Sequence, residues 1–348
     1  MQIVAKVAFE KIRQIGTGQG LNSTVWLARD PQLDCELAVK EIDKLTFWNP
    51  DCFAEAQAVY ASDHPNVVRV QWAGEEGQYA YIAMPYYPNG SLADVLSNGA
   101  MQLSSLLVMA QEVLLGLGHI HSKQFIHLDI KPSNIFLDHR GKALVADFGQ
   151  SRRISPSGGV TAPPLYYSTM PPEVLQSGNV ARVSDIFQVG ALLYRAVNGE
   201  QSWQDQVSIY PTDSELETAI LNGKFPNRNL FLPHVPKRLR SAIRKALSVV
   251  PGDRFSSATE LGQELGRINP ANDWSVGASA NGDMIWLSTP NGCAQLEVAV
   301  KKSGNKFSVT VHTRNGSSLR KKGKDTLWGN FPTLVRALKH LKWVFESL

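Results

Sequence analysis

Cysteine is scarce in this chain. The 348 residues hold three (Cys35, Cys52 and Cys293), too few and too scattered for a disulfide framework or a zinc site. Reduced, structural thiols are expected. No uninterrupted apolar run approaches the roughly 18–20 residues that span a bilayer. The opening MQIVAKVAFEKIRQIG lacks the apolar core and small-residue cleavage site of a secretory signal. The expectation is therefore a soluble, cytoplasmic protein with no membrane span. No internal repeat and no long low-complexity tract interrupts the chain.

What is present describes an ordinary globular protein, 43% hydrophobic and 19% charged, with ample material for a core. The length suits a large unit plus a small one. Net charge is +4, but unevenly spread: from Ala271 onward there are eleven basic residues against five acidic, and before it 24 against 26. The C-terminal piece is thus basic while the remainder is close to neutral, which points to an acidic partner or to a solvated basic face.

Apolar and β-branched stretches open the chain as strands at Lys11–Ile15, Thr24–Ala28, Glu36–Ile42, Val67–Ala73 and Tyr79–Met84, with one helix expected around Phe53–Ala61. After Pro88-Asn89-Gly90 the period turns helical. A short helix is expected at Ser91–Leu96 and a long one at Ser104–Ser122, burying Leu107, Leu114, Leu115 and Leu117. Two strand segments follow near Ile135–Leu137 and Ala143–Ala146, then a Ser/Pro/Gly-rich loop over Ser151–Pro164, then helices from about Asp185 to Ile268. Asn269-Pro270 reads as a domain boundary. Beyond it, turn dipeptides at Asn281-Gly282, Asn291-Gly292, Gly304-Asn305 and Asn315-Gly316 separate short apolar runs, and an amphipathic helix closes the chain at Pro332–Ser347. That piece is expected to be a small antiparallel meander packed on one helix.

Phosphoryl transfer needs a cradle for nucleotide phosphates, a cation on them, a bound metal and a group to take the hydroxyl proton. A candidate for each occurs in one order. Gly16, Gly18 and Gly20 punctuate the turn between the first two strands, where backbone without Cβ can approach phosphate. Leu37-Ala38-Val39-Lys40 ends an apolar strand on a lysine, and Glu55 on the expected helix can partner it. His127-Leu128-Asp129-Ile130-Lys131-Pro132-Ser133-Asn134 supplies a carboxylate for the proton, a cation for the transferring group and an amide oxygen for magnesium. Asp147-Phe148-Gly149 adds a metal carboxylate. Each motif alone has an ordinary structural explanation; together they leave little room for one.

In these motifs the sequence resembles the eukaryotic-type (Hanks-type) serine/threonine protein kinases, over residues 5–268. The resemblance implies an α+β, bilobal protein kinase fold with a β-rich N-lobe over about 1–87 and a helical C-lobe over about 88–268. The domain reading is then 1–268 for the kinase domain and 271–348 for a small basic accessory domain. The nucleotide loop would be Gly18-x-Gly20-x-x-Ser23-x-Val25, with Ala38 and Lys40 on the third strand and Met84 as gatekeeper of an adenine-receiving hinge that includes Tyr86. Lys40, Glu55, Asp129 and Lys131 are implied as catalytic residues, Asn134 and Asp147 as magnesium ligands, and ATP as the phosphoryl donor. Asp185 would brace the catalytic loop, and Glu173 of Pro171-Pro172-Glu173 would pair with Arg254. Lysine two residues after Asp129 is the serine/threonine-type arrangement, so protein substrates are expected; the hydroxyls of Ser151, Ser155, Ser157 and Thr161 in the Ser/Pro-rich loop carry the separate expectation of autophosphorylation.

Three departures stand out. Leu128 replaces the arginine that in this family receives a phosphorylated activation loop, so control is expected to lie elsewhere. Pro85 removes a hinge N–H, and Leu165–Met170 is atypical for a substrate-docking loop. The C-terminal piece carries no catalytic motif. Its Arg320-Lys321-Lys322-Gly323-Lys324 cluster and Trp274, Trp286, Trp328 and Trp343 could suit nucleic acid, but tryptophans filling a core and lysines on a loop is the preferred reading, with protein interaction as the role. The alternative to an enzyme is a pseudokinase scaffold that binds partners through the kinase fold and this basic domain.

Overall fold

A computed structural model describes residues 7–16, 23–45, 63–154, 167–278, 283–288, 294–315, 318–322 and 327–348. The helix expected around Phe53–Ala61 lies outside them. Two compact units share the chain: Met1–Asp94, Glu112–Gln188 and Ser256–Thr259 form one, and Val95–Gln111, Val189–Phe255 and Glu260–Leu348 the other.

The first unit opens with a five-stranded antiparallel sheet. Its strands are β1 (Glu10–Ile15), β2 (Thr24–Asp30), β3 (Cys35–Asp43), β4 (Trp72–Glu76) and β5 (Tyr79–Pro85), in the order β1-β2-β3-β5-β4. Side chains alternate across a strand, so Leu37 and Val39 join Ala28 and Ala83 in a buried layer covered by Phe9, Trp72 and Tyr81. Ala38 and Lys40 take the opposite face. The strand expected over Val67–Ala73 starts later, at Trp72. Val67 and Val68 have their backbone committed elsewhere: Val67 bridges Val145, and Val68 donates to the Val145 carbonyl at 2.9 Å.

Helices α1 (Leu92–Leu96) and α2 (Leu103–Ser122) follow, then short strands β6 (Phe125–Ile126), β7 (Ile135–Leu137), β8 (Ala143–Val145) and β9 (Arg152–Arg153), and helices α3 (Pro172–Ser177) and α4 (Arg182–Asn198), with α1, α2 and α4 each divided between the two units. β6 pairs β9 and β7 pairs β8. The buried stripe of α2 is Leu103, Leu106, Ala110, Val113, Leu117 and Ile120, the three- and four-residue spacing of one helical face. Leu114 is also buried, but Leu115 is 58% exposed, against expectation; it sits two positions from Val113 and Leu117, off that stripe. By length and composition α2 alone, among the described residues, could cross a membrane, which the sequence reading did not anticipate. Its buried stripe is that of a helix packed inside a protein. Gly116 allows a close approach here, since a Cβ would fall 2.4 Å from the Asn66 carbonyl oxygen.

The second unit holds helices α5 (Glu200–Val207), α6 (Asp213–Leu221), α7 (Lys237–Ala246) and α8 (Ala258–Gly266), the last shared with the first unit. Thr212 and Glu215 form a capping box at the start of α6, satisfying two otherwise orphaned N–H groups. Gly190 of α4 lets α7 approach, because a Cβ there would meet that of Ala246 at 2.9 Å.

The same unit ends in strands β10 (Trp274–Ala278), β11 (Met284–Ser288), β12 (Gln295–Ser303), β13 (Lys306–Asn315), β14 (Ser318–Lys321) and β15 (Gly329–Phe331), and helix α9 (Leu334–Ser347). β10 to β14 form an antiparallel meander and β15 pairs β13. This is the meander and helix expected from the turn dipeptides, with Gly304 at φ 57° in the β12–β13 turn. Its core gathers Trp274, Trp286, Val298, Val300, Val309, Val311, Ala337, Leu341 and Val344. Two expectations change. Trp343 stands 45% exposed instead of filling the core, and Arg320 and Lys321 lie on strand β14 instead of a loop.

Candidate active site

The register of the first sheet sets one half of the site. Val25 stands opposite Lys40, Leu27 opposite Ala38, Ala38 opposite Met84 and Lys40 opposite Ile82. Val25, Ala38, Lys40 and Met84 therefore share one sheet face. Met84 also packs with Tyr87 and Phe136 against the buried cluster of Val68, Leu144 and Ala146. Ser23 precedes β2 and Tyr86 follows β5, both half-buried. Gly18, Gly20 and Glu55 lie outside the described residues.

The other half is the segment between β6 and β7, folded around the buried imidazole of His127. Its Nε2–H donates to the Ala146 carbonyl at 3.0 Å, and its Nδ1 accepts from the Asp129 N–H at 3.3 Å. That bonding requires the neutral ring. Complete burial holds its pKa below the usual histidine value despite the nearby carboxylates of Asp185, Asp129 and Asp147. His127 thereby ties Asp129 to the residue preceding Asp147, and its ring lies 5.0 Å from that of Phe148.

Asn134 makes a second tie. Its Nδ2 donates to the Asp129 carbonyl at 2.9 Å and to Asp129 Oδ2 at 2.8 Å. Its own carbonyl accepts from the Ala146 N–H at 2.9 Å. With both amide protons used, Oδ1 is the atom left to face a cation. Lys131 Nζ lies 2.8 Å from Asp129 Oδ2. Lys40 Nζ reaches Asp147 Oδ1 at 3.0 Å. Burial alone would raise the Asp147 pKa, but the Lys40 ammonium and the Gly149 N–H hold it down at about 2. Asp147 and Leu128 both adopt left-handed backbone, at φ 62° and 67°, a cost that non-glycine residues bear only where surroundings impose it.

Those surroundings are specific. Asp185, fully buried on α4, accepts from the His127 and Leu128 N–H groups at 2.9 and 2.7 Å and from His121 Nε2 at 2.7 Å. One helical turn on, Gln188 accepts from Ile130 N–H at 3.0 Å and donates to the Leu128 carbonyl at 2.7 Å. The Leu128 side chain enters an apolar cluster with Ile126, Met170, Val174 and Val180, flanked by Ile154 and Leu175. Asn66 contributes at a distance, donating from Nδ2 to the Ala143 carbonyl at 3.0 Å. Glu173 accepts from the Ser184 hydroxyl at 2.8 Å. Sequence reasoning named Asp185 but missed Gln188 and His121. The available signal for Gln188 was a polar residue three positions after Asp185 in an otherwise apolar helical run.

Asp147 and Asn134 make a hard oxygen donor set. Among the described residues no group of three His, Cys, Asp or Glu side chains could hold a metal. Two oxygen ligands suit magnesium, which keeps several of its waters. The residues present therefore fit the ion that the resemblance implies.

A family model of the protein kinase domain matches residues 9–265. The chain is 30% identical over 272 residues to the serine/threonine-protein kinase PrkC of Bacillus subtilis, covering 74% of this chain and 40% of that protein. It is 27% identical over 265 residues to PknL of Mycobacterium tuberculosis, covering 73% and 64%, and 28% identical over 266 residues to PknB of Mycobacterium leprae, covering 72% and 42%. The chain thus spans less than two thirds of the length of these relatives. Matched over most of its own length and carrying the motifs in order, the chain belongs to the protein kinase family.

Proposed function

We propose that this protein is a serine/threonine protein kinase that transfers the γ-phosphoryl group of ATP to hydroxyl side chains of proteins. The observation that carries the reading is the Asp129–Lys131–Asn134 constellation, held to the Asp147 segment by His127 and by the Asn134 main chain. The names of the relatives, all serine/threonine-protein kinases, support the substrate class.

In this reading Asp129 Oδ accepts the proton of the attacking serine or threonine hydroxyl. The hydroxyl oxygen bonds to the γ-phosphorus as the bond to the bridging oxygen breaks, and ADP leaves with that oxygen's electrons. Lys131 balances the charge of the transferring group, and Lys40 holds the α- and β-phosphates with Glu55 as its partner. Gly18, Gly20 and Ser23 would cover the phosphates. Val25, Ala38, Met84 and Tyr86 would bound the adenine. Asp147 and Asn134 would hold magnesium, which when bound supplies positive charge to the phosphate oxygens. Catalysis here is positioning and electrostatics, and the rigid ties around Asp129 provide both.

Leu128 cannot receive a phosphate, and its apolar cluster supports a reading in which packing, not a phosphate–arginine pair, steadies the loop. Residues 271–348 are proposed as an accessory domain that engages protein partners. The test of the main reading is transfer of labelled phosphate from magnesium-ATP to a generic protein substrate, with phosphosites mapped by mass spectrometry. Serine and threonine sites are expected. No transfer, or transfer to tyrosine alone, would contradict it.

A further inference from the structure

From Ala271 onward eleven basic residues face five acidic ones, so six positive charges have no acidic counterpart in the same stretch. Asp273 accepts from the Ser104 N–H at 3.3 Å and from the Ser104 hydroxyl. Asp283 accepts from the Lys302 N–H at 3.1 Å. Buried Glu297 pairs with Arg314 at 3.2 Å, and Glu346 pairs with Arg240 of α7 at 3.2 Å. Among the described residues those are all the acids after Ala271.

The basic residues of α9 collect on one side of it. At 3.6 residues per turn, Val335, Arg336, Lys339, Lys342, Trp343 and Glu346 fall within about a third of the helix circumference. The opposite side buries Ala337, Leu341 and Val344. On the outer side Val335 is 75% and Trp343 45% exposed. Arg336 and Lys339 pair with no carboxylate among the described residues. Lys342 is pushed below its usual pKa by partial burial and by Arg240 and Arg244, with Glu346 opposing. Cations converge on this face with one carboxylate between them, beside two large apolar side chains in water.

Each class of anionic partner would use such a face differently. A phosphate backbone has nothing for Val335 to pack against. A bilayer needs a continuous apolar arc, and here Lys339 separates Val335 from Trp343 while the helix's main apolar arc is spent on its own sheet. An acidic protein segment with apolar residues between its carboxylates meets both features, and exposed tryptophan and cations are what such interfaces concentrate their energy on. We propose that the outer face of α9, centred on Val335, Lys339 and Trp343, docks an acidic, apolar-anchored segment of a protein substrate. This rests on the kinase reading only for the word substrate; docking itself is independent of phosphoryl transfer.

The experiment is fluorescence anisotropy of the full chain, without nucleotide, with a fluorescein-labelled peptide of glutamates interspersed with leucines. Binding should weaken with salt. Lys339→Glu and Trp343→Ala should each weaken it about tenfold or more, Val335→Ser should also weaken it, and Lys301→Glu on strand β12 should leave it unchanged. Circular dichroism and thermal melts check that each exposed-site variant folds. With a substrate peptide extended by the same segment, KM should fall without a change in kcat, and Trp343→Ala should abolish that gain while leaving transfer to the unextended peptide intact. Absent binding, equal binding by the three α9 variants, or a preference of this face for duplex DNA or phosphatidylglycerol vesicles would overturn the proposal. A kinase-dead result leaves the binding arm fully readable, so failure of the docking and failure of the activity are distinguishable.

Discussion

Acid should destabilise the second unit through His234. The imidazole is 5% exposed, and its Nδ1 accepts from Trp286 Nε1–H at 3.1 Å. It packs against the Phe345 ring at 6.0 Å. Its Nε2 is buried without a hydrogen-bond partner. Protonating Nδ1 would set a donor against the Trp286 donor and place a charge in an apolar setting. Burial accordingly pushes the pKa from 6.5 down to about 4, with Asp273 opposing weakly. Because the folded pKa lies below the unfolded one, the unfolded chain binds the proton first. Stability is then fully present above pH 6.5 and lost as pH falls toward 4. Linkage gives a loss of about 2 kcal/mol by pH 5 and about 3 kcal/mol by pH 4. The assay is urea unfolding followed by tryptophan fluorescence and circular dichroism between pH 7 and 4, for the parent and for His234→Asn. Asparagine keeps an acceptor for Trp286 but does not titrate, so the difference between the two curves isolates this residue from the carboxylates that also titrate. Parallel pH profiles would refute the reasoning.

Three further outcomes follow from the first unit. Leu128→Ala opens a cavity in the cluster with Met170 and Val174; chemical denaturation should show a loss of about 2–4 kcal/mol, and kcat should fall as the loop loosens. Gly116→Ala sets a Cβ against the Asn66 carbonyl and should lower the melting temperature by several degrees, since backbone on both sides must give. Asn134→Ala removes both ties to Asp129 along with a metal oxygen; kcat should drop about a hundredfold or more, and the magnesium concentration for half-maximal activity should rise.

The short-range parts of this site were legible because its motifs are contiguous: His127 to Asn134 meet one another within eight residues, and alternation along β3 sufficed to put Ala38 and Lys40 on one face. What escaped reading were partners far apart in sequence. Gln188 reaches back 60 residues to the Leu128 carbonyl, and Asn66 reaches forward 77 to that of Ala143. The sequence around Gln188 marks it only as a polar residue in an apolar helical run, and nothing local to either residue names its distant partner. Leu115 misled because a leucine-rich helix offers more apolar residues than one stripe can bury. The start of β4 misled because two competing sheets could take Val67 and Val68, and tertiary pairing settled the matter in favour of β8. Trp343 looked like core by type alone; only the wheel of α9, with Ala337, Leu341 and Val344 inward, turns it outward.

The most direct test of the central claim is a parallel assay of the parent and Asp129→Asn with magnesium-ATP and a protein substrate. Asparagine preserves shape and the acceptor for Asn134 but cannot take the hydroxyl proton, so kcat should fall about a hundredfold or more with the KM for ATP little changed. Transfer at the parent rate by Asp129→Asn would contradict the account.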